Sequence, residues 1–213
     1  MSKVSEKQNV LSEVGRVVRD IARELSSEPN KLTVEEHERD GRVTISMWPS
    51  AKDYGRIVGS RGATINALEL LAKVMADRKD LEMQISVIPP DSREKPPRDK
   101  FAPNPKWGKA DIGPLLKRVC ALLFEGGTVE FDDVNPLVLN ASVKVSAKQS
   151  ELIEIMQDGR HVNFIFDKTT RETTTIDLDL VAKALRMVFN GIGKSHGKSF
   201  VVYVDQIYIP DAQ

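Results

Sequence analysis

Tyr54-Gly55-Arg56-Ile57-Val58-Gly59-Ser60-Arg61-Gly62-Ala63-Thr64-Ile65 sets a G-x-x-G tetrapeptide, Gly59 to Gly62, behind the apolar pair Ile57 and Val58. Ile65 opens a run with one-sided helical spacing. Two glycines let the backbone turn sharply and approach a ligand closely. The helix that begins just after them directs free N–H groups and the positive end of its dipole at that ligand. A turn so placed attracts an anion, and Arg61 at its tip adds a full charge. The chemistry that fits is a phosphate backbone.

The flanking segments predict the order helix, strand, strand, helix, G-x-x-G, helix, strand. Apolar residues at 10, 11, 14, 17, 18, 21 and 25 mark a helix over 10–25. Leu32–Glu38 and Arg42–Trp48 read as strands joined at Asp40-Gly41, with Val43, Ile45 and Met47 alternating against polar neighbours. Helices follow over Ala51–Val58 and Thr64–Arg78, and a strand over Leu81–Ile88 ends at Pro89-Pro90. One-sided helices with alternating strands predict a three-stranded sheet covered on one face.

Residues 91–109 read as a linker with prolines at 96, 97, 103 and 105, which makes it extended and semi-rigid. Arg93, Lys95, Arg98, Lys100, Lys106 and Lys109 outnumber Asp91, Glu94 and Asp99 there, a local basic excess. Beyond it the chain repeats the first pattern: a helix over Asp111–Phe124, strands over Thr128–Phe131 and Leu137–Val145, and a closing strand over Phe200–Ile209. Ser146-Ala147-Lys148 matches Ser50-Ala51-Lys52, and Leu180 to Leu185 matches Leu70 to Met75. No second G-x-x-G lies between these anchors. Two β-prone runs, His161–Asp167 and Glu172–Asp177, read instead as an inserted hairpin around Lys168–Arg171. The expected organisation is a G-x-x-G domain over 5–90, the linker over 91–109, and a divergent copy over 110–210.

Composition narrows the function. The 213 residues hold 31 basic and 31 acidic side chains, so any nucleic-acid site is a local patch and not a global field. Charged residues at 29% and hydrophobic ones at 40% fit a packed fold. The single Cys120 precludes an internal disulfide framework, fits a reducing compartment, and reads as a buried small hydrophobe within Leu115–Phe124. The Ser/Lys/Glu-rich N-terminus has no apolar core, so we expect no secretory signal, and no apolar run approaches the ~18 residues of a membrane span. The expectation is a cytoplasmic location with no membrane partner. His37, His161 and His196 are scattered without metal-ligand spacing, and no nucleophile–base grouping or cofactor signature stands out. We therefore expect no enzymatic activity, no metal and no cofactor.

Of three further segments, two carry two readings each. Gly191 to Ser199 includes Gly-Lys-Ser but fails the spacing and element order of a nucleotide-phosphate loop. It is either a capped helix end or an auxiliary backbone contact through Lys194 and Lys198. Trp107, between Lys106 and Lys109, either stacks on a base or docks the linker onto a domain. Asp132-Asp133 reads as a solvated loop.

Around Gly59–Gly62 the chain resembles the type II K-homology (KH) domain, most nearly that of the small bacterial single-KH RNA-binding proteins. These share hydrophobic-Gly-basic-Ile/Val-Ile/Val-Gly-x-basic/polar-Gly followed by an Ala/Leu-rich helix. The resemblance covers roughly residues 8–90, and reaches the second half only through element order and the two short matches. It implies an α+β fold of tandem KH-like units, each a three-stranded sheet under three helices. It also implies a loop that clamps about four nucleotides of single strand, with no catalytic residues and no obligatory cofactor. Carried onto this sequence, Gly59 and Gly62 admit the backbone, Ser60 and Arg61 are the exposed middle positions, and Lys52 and Arg56 lie near the same edge. Ile57, Val58 and Ile65 form either groove floor or core. The implied partner is single-stranded RNA, messenger or small, for a post-transcriptional regulator or RNA chaperone. Single-stranded DNA, and a scaffold role in which the second half forms a homodimer or binds a protein, are the alternatives.

Overall fold

The computed structural model describes residues 11–39, 41–77, 79, 81–90, 106–124, 128–135, 138–148, 152–157, 160–166, 173–176 and 178–209. Residues 91–105, most of the expected linker, and the turn at 168–171 lie outside these.

The first helix, α1 (Glu13–Leu25), starts where Ser12 caps it: the Ser12 hydroxyl accepts from the Gly15 N–H at 3.0 Å. The same residue donates through its N–H and its hydroxyl to Glu36, at 3.0 and 2.9 Å, and so ties the helix start to the first strand. Val14, Val17, Val18, Ile21, Ala22 and Leu25 recur at helical spacing and are buried. Strands β1 (Thr33–Arg39) and β2 (Arg42–Trp48) form an antiparallel hairpin, and β2 buries Val43, Ile45 and Met47. The glycine at its turn, Gly41, has φ 76°, the left-handed region that such a turn requires. Helices α2 (Ala51–Val58) and α3 (Ala63–Asp77) then cross over to β3 (Glu82–Val87), which pairs with β2 in parallel from Arg42↔Glu82 to Met47↔Val87. A parallel pair needs a crossover of this kind, so the two helices and the turn between them are held at the sheet's end.

The second sheet has the same plan. Helix α4 (Lys109–Leu123) precedes β4 (Thr128–Asn135) and β5 (Val138–Lys148), which are antiparallel, and β9 (Ser199–Ile209) runs parallel to β5. Between β5 and helix α5 (Leu178–Ser195) stands a third sheet of β6 (Leu152–Gln157), β7 (Arg160–Phe166) and β8 (Thr173–Ile176), all antiparallel. The insertion is thus a three-stranded meander where a hairpin was expected. Among the described residues the second sheet has two helices, α4 and α5, where three were expected, because the meander stands where the α2–turn segment would be. Lys109 opens α4 and does not belong to a linker. Ser146-Ala147-Lys148 also differs from its match: Ser50 caps α2, whereas residues 146–148 are strand, paired with Ile207, Tyr208 and Ile209.

The two sheets share one continuous apolar core. Helix α5 packs on α3 as well as on β9, and α4 packs on α1 and β4, so the helices face one another and each sheet backs its own pair. Phe189 and Phe200, edge to face at 5.6 Å, fill the α5–β9 contact. Among the described residues no helix is long and apolar enough to cross a membrane.

Candidate nucleic-acid interface

The turn between α2 and α3 is built by local chemistry. Ser50 caps α2 by accepting from the Asp53 N–H at 3.3 Å. Asp53, 1% exposed, lies at the junction of α2 with the end of α1. Its carboxylate accepts the Ser27 N–H and hydroxyl, both at 2.8 Å, the Glu28 N–H at 2.9 Å, and the Arg56 guanidinium at 3.0 Å. Burial pushes this carboxyl's pKa up, but the bonds from Ser27 and Glu28 and the charge of Arg56 outweigh it and hold the group below the ordinary aspartate range. Asp53 stays ionised, and Arg56 is oriented by a fixed charge.

Helix α2 ends at Gly59, whose N–H donates to the Gly55 carbonyl at 2.9 Å. Gly59 sits at φ 77°, ψ 175°, a region open to glycine almost alone. A Cβ there would lie 2.7 Å from the Thr64 nitrogen and collide with the Thr64 hydroxyl. Ser60–Gly62 makes one 3-10 turn, in which Arg61 has φ 54°, ψ 30°, and Gly62 has φ 80°. Arg61 is the one described non-glycine residue with positive φ, an unfavourable conformation that exposes its side chain at the tip. Among the described residues it has no ion-pair or hydrogen-bond partner. Helix α3 begins at the next residue past Gly62, so its N-terminal dipole faces the turn.

A groove of about 620 Å³ opens beside this turn. Arg56, Gly59, Ser60, Ala63 and Thr64 form one wall, and α5 forms the other through Lys183, Arg186, Met187, Asn190, Gly191 and Lys194.

The remaining expected site residues divide. Lys52 is half-buried in the first turn of α2, and Val58 and Ile65 are half-buried, the latter against the core. Ile57 is fully buried, so of its two roles it takes core and not groove floor. Lys106 and Lys109 are exposed. Trp107, 4% exposed, stacks on His196 with ring centres 4.4 Å apart, and its Nε1–H donates to Glu24 at 3.2 Å. It docks the chain before α4 against α1 and the end of α5, and cannot also stack on a base. Lys198 is buried beneath it, donating to the Trp107 carbonyl with its ammonium 6.0 Å from the indole centre. Burial removes it from the auxiliary contacts. Lys194 is exposed at the last turn of α5. Sequence reasoning missed Lys183 and Arg186, although their spacing with Lys194 along one helical face was the available signal. Cys120 is buried, which pushes its pKa up to about 12 and leaves it an inert thiol.

Residues 16–87 match the family model for the KhpA/KhpB KH domain. Over this segment the chain is similar to a small bacterial family of type II KH domains. The parallel β2–β3 pair and the α2–turn–α3 crossover lie within the match, and the family is an RNA-binding one, not a family of enzymes. Comparison of the chain with curated proteins and with solved structures finds no match to either. The match thus ends before the second sheet, and α5, the far wall of the groove, lies outside it.

Proposed function

We propose that the protein binds single-stranded RNA through Gly59-Ser60-Arg61-Gly62, as a post-transcriptional regulator or RNA chaperone of the cytoplasm. The observation that carries this is the turn itself: a backbone that only glycine can adopt at Gly59, an arginine held at positive φ at its tip, and a helix N-terminus behind it. Gly59 and Gly62 admit a phosphate, Ser60 and Arg61 contact it, and Lys52 and Arg56 add charge at the same edge, with Val58 and Ile65 beneath the bases. In this reading residues 5–90 are the KH domain, and residues 110–210 descend from a second copy that lost its phosphate turn. Few contacts imply modest, salt-sensitive affinity, with log K falling by ~0.7 per contact for each decade of salt.

Fluorescence anisotropy of labelled single-stranded RNA, at two salt concentrations, tests the reading. Ser60→Asp with Arg61→Asp is expected to weaken binding at least tenfold without lowering the melting temperature. Equal binding by the variant and the wild type would sink the clamp. A matched deoxyribose oligomer that binds equally would leave the sugar unread and make the protein a general single-strand binder. The meander in place of a second turn favours one further reading, in which residues 110–210 serve self-association or a protein partner. A concentration-independent monomer of the full chain on a sizing column would remove self-association.

A further inference from the structure

Helix α5 is divided sharply along its length. Val181, Ala184, Leu185, Val188, Phe189 and Ile192 are buried in the shared core. The opposite face carries Lys183, Arg186, Asn190 and Lys194 into the groove beside the KH turn. Gly191 brings this face close: a Cβ there would lie 3.1 Å from Leu25 and 3.9 Å from the Thr64 methyl, against the first turn of α3. The far wall is therefore held rigidly against the helix that the phosphate turn opens.

Charge on this wall is not neutralised from within. Among the described residues Lys183 and Lys194 have no acidic or hydrogen-bonding partner, and Arg186 spends its Nε on the Val202 carbonyl at 3.1 Å. No carboxylate lines the groove; Asp53, which holds the lining residue Arg56, is buried and also held by Ser27 and Glu28. Like charges facing one another across a cleft repel and raise its positive potential, and a bound polyanion relieves both effects. From Lys183 to Lys194 is three turns of helix, roughly 16 Å along the axis. That length suits a strand with several phosphates, not a single anion.

We infer that α5 is the second wall of one RNA site: Lys183, Arg186 and Lys194 contact the backbone of the same strand that Gly59–Gly62 hold. The inference rests on the RNA-binding reading above and extends the site beyond the KH domain. Met187 of α5 and Ala63 of α3, which both line the groove, supply apolar surface for a sugar or base.

The test is the double variant Lys183→Ala/Lys194→Ala in the full chain, titrated with single-stranded RNA across a range of salt. Both lysines are exposed, so its melting temperature should match the wild type. Affinity at low salt is expected to fall at least fivefold, and the slope of log K on log salt to shrink by about 1.4, two contacts at ~0.7 each. Wild-type affinity and slope in this variant, with binding lost in Ser60→Asp/Arg61→Asp, would overturn the α5 contact and leave the KH clamp standing. Weaker binding at an unchanged slope would also overturn it, because no phosphate contact would have been lost. Failure of the wild type to bind RNA at all would remove both readings together.

Discussion

The two three-stranded sheets carry the same pairing, antiparallel then parallel, and differ in what joins the parallel strands. In the first, α2, a glycine turn and α3 make the crossover; in the second, a meander and α5 do. Buried Ile45 and Met47 of β2 have counterparts 96 residues on in buried Ala141 and Val143 of β5, so the inward face is kept. The helix that packs on the parallel pair is also kept, because α5 fills core with Leu185, Val188 and Phe189 as α3 does with Leu68, Leu71 and Met75. What differs is the segment with little core. The phosphate turn rests on two glycines, one cap and a buried carboxylate, so it can be present or absent without disturbing the sheet. On the proposed reading, function sits on the part of the frame that is easiest to change.

The comparison is broken most severely where the two halves join. Trp107 is buried between Glu24 of α1, His196 past the end of α5, and Phe200 of β9. Trp107→Ala is expected to cost about 3–5 kcal/mol. At ~2–4 °C per kcal/mol for a chain of this size, the melting temperature should fall by roughly 10 °C. A continuous core predicts that calorimetry will show one transition, shifted as a whole. Two transitions, with only the later-sequence half destabilised, would show that the halves fold independently.

The two glycines of the turn should separate next. At Gly59 an alanine meets both forbidden φ/ψ and the Thr64 backbone at 2.7 Å, so about 2–3 kcal/mol and most RNA binding should be lost. At Gly62 an added Cβ finds Asn66 no nearer than 3.6 Å, an ordinary contact, and only left-handed strain of about 1 kcal/mol remains. Urea denaturation measures both. Equal losses would mean that the Thr64 contact does not shape the turn.

How far this was legible in the sequence follows from the range of the interactions involved. The helices and strands of the KH domain rest on local periodicity, caps and turns, and their boundaries agree with the sequence expectations to within a few residues. The turn residues were legible for the same reason. Strand β6 was not assigned: Leu-Ile-Glu-Ile-Met-Gln is apolar without a clear period, and such a run fits helix and strand alike. The choice between the two readings of Trp107, and of Lys198, was not legible because their partners are distant in sequence: Glu24 is 83 residues from Trp107, and Trp107 is 91 from Lys198. In sequence a buried lysine looks like any other. The α5 wall was hidden in plain view, since Lys183 sits inside the word that matches Leu70–Met75 and was read as a sign of repetition, not as a surface.

The smallest effect concerns Arg61. Its φ of 54° is unfavourable for any residue with a Cβ, at about 1–2 kcal/mol, and glycine would relieve it. Glycine also gains more freedom in the unfolded chain, which opposes that relief by roughly 0.5–1 kcal/mol. Arg61→Gly should therefore leave stability unchanged or raise it by up to about 1 kcal/mol, while weakening RNA binding and reducing the salt slope by ~0.7. A scaffold position would lose stability or nothing. A position retained for its charge trades stability for binding, and the two measurements made on one variant distinguish these cases. If Arg61→Gly binds RNA as the wild type does, the strained arginine is no phosphate contact, and the positive charge that matters is on Arg56 or on α5.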